Sequence, residues 1–111
     1  MTALAARECK PYPKGTPALN LEQVTELLRE IPEWSLDAGC SSISREFRFK
    51  DFHQTMAFVN ALAEIAHQTD HHPDLEVGYN RCKVTFSTHS IGGLSDNDFI
   101  CAARINSLGE L

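Results

Sequence analysis

Two short histidine clusters carry the chemistry this sequence could perform. The first is Asp70-His71-His72-Pro73 and the second is Ser87-Thr88-His89. Imidazole titrates nearest to neutrality, so it gives and takes protons at small energetic cost. Several imidazoles in one pocket, with a carboxylate beside them, can hold different protonation states. One group then acts as acid and another as base. Asp70 and Asp98 are the candidate carboxylates. Pro73 confines the backbone of His72 to extended conformations, which holds the pair in place. The other two histidines, His53 and His67, stand alone and read as surface or structural residues.

Metal binding and nucleophilic catalysis are the competing uses of such residues. Histidine and aspartate suit zinc or iron, yet adjacent side chains on an extended backbone diverge, so His71 and His72 pair poorly on one ion. The chain has no H-x-H, H-E-x-x-H or C-x-x-C spacing, and no metal is expected. Cys82 and Cys101 sit in apolar patterns where a thiol behaves as a small hydrophobe. Ser87 lacks the G-x-S-x-G context of an activated serine. Asp98 has two readings, a substrate contact or an acidic residue that merely favours the first turn of a helix.

The elements that must position these groups follow from periodicity. Asn20 is placed to cap a first helix running through Ile31, with Leu21, Val24, Leu27, Leu28 and Ile31 on one face and Pro32 as its stop. Trp34 and Leu36 open a short strand. Ile43 to Phe49 alternates cleanly as a second strand. Asp51 should cap a long second helix ending near Thr69, with Phe52, Met56, Val59, Ala63 and Ala66 as its apolar stripe, widened by Phe58, Leu62 and Ile65. A strand is expected over 76–79, a tight connection at Asn80-Arg81, and another strand over 82–88. Ser95, with Asp98 three residues on, should cap a third helix reaching about Leu108. The strands fall in adjacent pairs, so antiparallel hairpins and an α+β class are expected, in the order α-β-β-α-β-β-α. The strands over 43–49 and 82–88 are the candidate sheet edges.

Residues 1–19, with Pro11, Pro13, Gly15 and Pro17, read as an extended N-terminal arm before a single domain over 20–111. So small a domain builds a modest core, which favours self-association. A net charge of −5 and scattered basic residues argue against a nucleic-acid partner. The N-terminus shows no signal-peptide pattern and no stretch is apolar enough to span a membrane, so reduced thiols in the cytoplasm are expected for Cys9, Cys40, Cys82 and Cys101.

Taken together, Asp70-His71-His72-Pro73, Tyr79-Asn80, Ser87-Thr88-His89, Gly93-Leu94-Ser95 and Asp98 resemble the pterin-4a-carbinolamine dehydratase family. Phe47-Arg48-Phe49-Lys50-Asp51-Phe52 and Trp34 resemble it more loosely, and the resemblance covers roughly residues 20–108. It implies a four-stranded antiparallel sheet with three helices packed on one face, assembled as a homodimer or homotetramer. It implies a dehydratase that removes water from 4a-hydroxytetrahydropterin to give quinonoid dihydropterin, recycling the pterin for phenylalanine hydroxylase and related aromatic hydroxylases. It further implies that no metal or bound cofactor is needed, that His71, His72 and His89 are the acid–base set, and that Asp70, Ser87, Thr88 and Ser90 line the substrate pocket. Some relatives of this type serve instead as dimerisation partners of a transcription factor, so a non-catalytic protein-binding module is the alternative. The chain departs from the family pattern at His67, Leu75 and Ser90, where Glu, Trp and an acidic residue are usual.

Overall fold

A computed structural model describes residues 3–110; Met1, Thr2 and Leu111 lie outside the described residues. Three helices accompany a four-stranded antiparallel sheet: α1 (Leu21–Leu28), β1 (Ser35–Leu36), β2 (Ile43–Arg48), α2 (Phe52–Thr69), β3 (Asp74–Val77), β4 (Arg81–Phe86) and α3 (Asp96–Asn106). A 3₁₀ turn over Leu4–Ala6 precedes them and another over Ser107–Glu110 follows. The class is therefore α+β in the expected order.

Caps set the helix starts. Asn20 accepts the Gln23 amide at 2.9 Å while the Gln23 side chain accepts the Asn20 amide at 2.9 Å. Asp51 accepts the Gln54 amide at 2.9 Å and opens α2. The first helix closes at Leu28, three residues short of Ile31, because Pro32 bars a helical backbone at Ile31 and the chain tightens into i→i−3 bonds instead.

The sheet order is β1-β2-β4-β3. The long strands β2 and β4, expected at the edges, are therefore the two central strands; the edges are the two-residue β1 and the four-residue β3. Ile43 faces Phe86 and Phe47 faces Cys82 across the central pair, so both apolar alternations fall on one side. The opposite side carries Glu46, Lys83 and Glu76 in register across three strands, a ladder of alternating charge. The third strand lies at 74–77 rather than 76–79, because the Gly78 amide closes the turn by donating to the Arg81 carbonyl at 2.9 Å.

Aromatic rings fill the space between the sheet and the helices. Phe47 lies 4.6 Å from Phe58 and Trp34 lies 5.9 Å from Phe86, centroid to centroid. The buried face of α2 is Thr55, Phe58, Leu62 and Ala66, whereas Phe52 is exposed and Met56, Val59 and Ala63 are half-buried. The helix carries more apolar residues than the sheet can cover. Its inward face is also tied to the β3–β4 turn by Thr55, whose hydroxyl donates to the Tyr79 carbonyl at 2.9 Å.

Candidate functional site

The site begins where α2 ends. Asp70 takes the left-handed conformation, φ 51°, and turns the chain so that His71 points back towards the core. The His71 ring stacks on Phe86 with centroids 5.7 Å apart and planes 7° from parallel. Its Nε2 lies 2.6 Å from the Asp98 carboxylate, which is fully buried at 0% exposure.

Asp98 is a buried carboxylate with both oxygens hydrogen-bonded. Its other oxygen accepts the Thr88 hydroxyl at 2.8 Å and the Ser95 amide at 2.9 Å, and the Ser95 hydroxyl pairs with Thr88 at 2.7 Å. Such full pairing is what makes a buried carboxylate tolerable. An ionised carboxylate only accepts, so the His71 Nε2 carries the proton and donates it. Among the described residues, Nδ1 has no protein partner, which leaves its lone pair for a ligand.

Thr88 also anchors the second histidine loop. Its amide donates to the Gly93 carbonyl at 2.7 Å, closing a 3₁₀ turn over His89–Ile91 that ends on Gly92 at φ 66°. Gly93 has a steric reason: a Cβ there would sit 2.8 Å from the Ala18 side chain, where the arm crosses the loop.

Two lobes of one cleft open in front of His71. One, about 320 Å³, is lined by residues including Cys9, Tyr12, Asp70, His71, Thr88 and Asn97. The other, about 210 Å³, is lined by Asp70, His71, His72, Ser87, Thr88, His89 and Ser90. Asp70, His71, Thr88 and Ser90 border both lobes. The structure thus gathers the three histidines of the two motifs at one cleft, with His72 and His89 exposed at its rim and His71 largely enclosed. His53 and His67 are exposed on α2 and line neither lobe. Asp98 stands behind His71 with no exposed surface, so it reaches a ligand only through that ring. Thr88 is likewise nearly buried and its hydroxyl is spent on Asp98. Ser90 donates to the Tyr12 carbonyl at 2.8 Å.

The arm supplies a wall that sequence reasoning missed. The Lys10 amide donates to Asn97 Oδ1 at 3.0 Å and Asn97 Nδ2 donates to the Lys10 carbonyl at 2.6 Å. Arg7 pairs with Asp96 at 2.9 Å, and Arg104 donates to the carbonyls of Ala5 and Arg7. Burial, with Asp96 nearby, pushes the Tyr12 phenol above its ordinary range, so it stays a neutral donor. Only the proline-rich composition marked this segment, and composition cannot reveal which helix it binds. A larger cavity of about 420 Å³ beside Phe49 and Leu108 has neither histidine nor carboxylate in its wall. Among the described residues, no cluster of three or more His, Cys, Asp or Glu could hold a metal ion.

Comparison with known proteins finds relatives along nearly the whole chain. Residues 17–108 match the family model described as pterin 4 alpha carbinolamine dehydratase. A protein of Nitrosospira multiformis, provisionally named pterin-4-alpha-carbinolamine dehydratase, is 51% identical over 108 residues, covering 97% of this chain and 94% of its own. One of Stenotrophomonas maltophilia with the same provisional name is 55% identical over 107 residues, covering 96% and 92%. A crystal structure described as a transcriptional coactivator/pterin dehydratase from Brucella melitensis superimposes with a TM-score of 0.79 at 35% identity, covering 83% of this chain and 98% of that one. A pterin dehydratase-like protein described as a RuBisCO assembly factor in the alpha-carboxysome gives a TM-score of 0.62 at 26% identity, covering 69% and 89%. By the family match and these relatives alike, the chain belongs to the pterin-4-alpha-carbinolamine dehydratase family.

Proposed function

We propose that this protein removes water from a 4a-hydroxytetrahydropterin to give the quinonoid dihydropterin. The single observation that carries the reading is the 2.6 Å bond from His71 to the buried Asp98, beside a cleft that two further histidines border. The elimination requires a proton delivered to the leaving hydroxyl, which departs as water, and a proton removed from a ring nitrogen. The number of protons on the protein is unchanged at the end.

His71 suits the second task. Asp98 fixes its tautomer and orientation and stabilises the imidazolium that forms when Nδ1 takes a proton. His72 and His89, at the open rim, are the groups from which the acid is drawn. Asp70 and Ser87 border the same lobe and suit hydrogen bonds to a polar bicyclic ligand. No step calls for a metal or a bound cofactor. Recycling the pterin for aromatic amino acid hydroxylation, phenylalanine hydroxylase above all, is the setting this reaction fits, in a cytoplasm that suits four free cysteines.

The reading includes a homodimer or homotetramer. Every residue of the edge strand β3 is exposed, and Leu75 (36%), Val77 (43%) and Tyr79 (65%) leave an apolar margin beside unpaired backbone. A second copy pairing there would cover both. Val77→Lys should shift the oligomer towards monomer in analytical ultracentrifugation.

The decisive test is turnover of a 4a-hydroxytetrahydropterin by protein freed of metal. His71→Ala and His89→Ala should each slow it at least about tenfold, since positioned acid–base groups contribute about 10²–10⁴. Full rates in both variants would sink the assignment. The coactivator and assembly-factor descriptions of two structural relatives favour a second reading, a module that binds another protein. No turnover together with a stable stoichiometric protein complex would establish that reading instead.

A further inference from the structure

The proposed dehydration makes no use of sulfur, yet two thiols meet at the cleft. Cys9, on the arm, lines the larger lobe, and its Sγ lies 3.7 Å from that of Cys101 on α3. Cys101 is fully buried, so its neighbour is the group that oxidant in solution meets first. We propose that Cys9 and Cys101 are a peroxide-responsive thiol pair that closes to a disulfide and clamps the arm to α3 beside the cleft.

The surroundings prepare Cys9 for this. The hydrogen bond shared with Cys101 lowers the Cys9 thiol to about 7 against opposing burial, with His71 and Arg104 assisting and Asp98 opposing. Cys101 can also reach the Thr69 hydroxyl at 3.5 Å, but a thiolate is the stronger acceptor, so an ionised Cys9 draws the proton. The same contact, with burial, pushes Cys101 well above the ordinary thiol range and keeps it protonated.

The chemistry balances with a hydroperoxide as oxidant. The Cys9 thiolate attacks the distal peroxide oxygen, the O–O bond breaks, and Cys9 becomes a sulfenic acid while the other oxygen leaves as water or alcohol. Cys9 then no longer carries the negative charge that raised Cys101. The Cys101 sulfur attacks the sulfenic sulfur, its proton joins the departing hydroxide as water, and an S–S bond of about 2.05 Å forms. The sulfurs must close by less than 2 Å from 3.7 Å, a movement a side-chain rotation on the arm can supply.

The experiment treats reduced full-length protein with one equivalent of hydrogen peroxide, alkylates the remaining thiols and maps the peptides by mass spectrometry. The expected product is monomer-linked, with Cys9 joined to Cys101, an intact mass lower by about 2 Da, and Cys40 and Cys82 alkylated. Before oxidation, at pH 7, Cys9 should alkylate at least about tenfold faster than Cys82, whose thiol burial pushes up. Its alkylation rate should rise with a midpoint near pH 7, and Cys101→Ala should move that midpoint up. No linked peptide, a link between Cys9 and Cys40, or an unmoved midpoint in a folded Cys101→Ala variant would each overturn the proposal. Mass and label are read without turnover, so this outcome and that of the dehydratase assay are independent.

Discussion

The two walls of the cleft are built in opposite ways. The inner wall, His71 with Asp98, Thr88 and Ser95, is buried or nearly so, and the side-chain polar atoms in it other than His71 Nδ1 are partnered inside the fold. The outer wall, Cys9 to Tyr12, is laid on from outside and held by Asn97, Ser90 and Arg7–Asp96. The inner wall has one arrangement that satisfies it, and its rigidity suits proton transfer. The outer wall rests on a few strapping bonds, so it can shape access without setting the chemistry.

If that division is right, damage to the inner wall lowers kcat and damage to the outer wall raises KM. The largest effect belongs to His71→Ala, which should lower kcat/KM by about 10²–10⁴ with circular dichroism unchanged. Asp98→Asn comes next. Its amide must point an N–H group at a donor it formerly accepted, costing about 1–3 kcal/mol of stability in chemical denaturation. Its kcat should fall by about 10²-fold with KM nearly constant, because the residue acts through His71. Asn97→Ala removes both bonds to Lys10. It should cost about 1 kcal/mol and raise KM severalfold while leaving kcat within about twofold. Ser90→Ala should change either constant by less than about threefold, since its hydroxyl serves one exposed carbonyl. An Asn97→Ala variant as slow in kcat as Asp98→Asn would break the comparison.

The inner wall was legible in the sequence because its parts lie in short motifs with local causes. Pro73 marks the turn after α2, and the Ser95–Asp98 spacing marks the start of α3. The same spacing hid the main role of Asp98, since capping accounts for an acidic residue there without any need for His71. The α+β order was legible from alternation in β2 and β4 and from the caps of α1 and α2. Periodicity could not show which strands become neighbours, so β2 and β4 were read as edges although they pair with each other. In α2 the apolar arc is wider than the buried one, and contacts distant in sequence, the Thr55–Tyr79 bond among them, mark the face that turns inward. The arm was opaque for a simpler reason: its partners, Asp96, Asn97 and Arg104, lie some ninety residues away, and no local pattern records them.

That separation has a consequence for the order in which the molecule is completed. Leu4 is buried, and the residues after it are fastened to α3, the last of the three helices. On a ribosome the arm emerges before the surface that receives it, which is translated some ninety residues later. Until β4 is made, β2 has only the two-residue β1 beside it, so nascent chains must hold a largely unpaired apolar strand in solution. Docking of the arm therefore waits for α3, and pausing before that helix would leave a chain that has made the arm but not the place where it belongs.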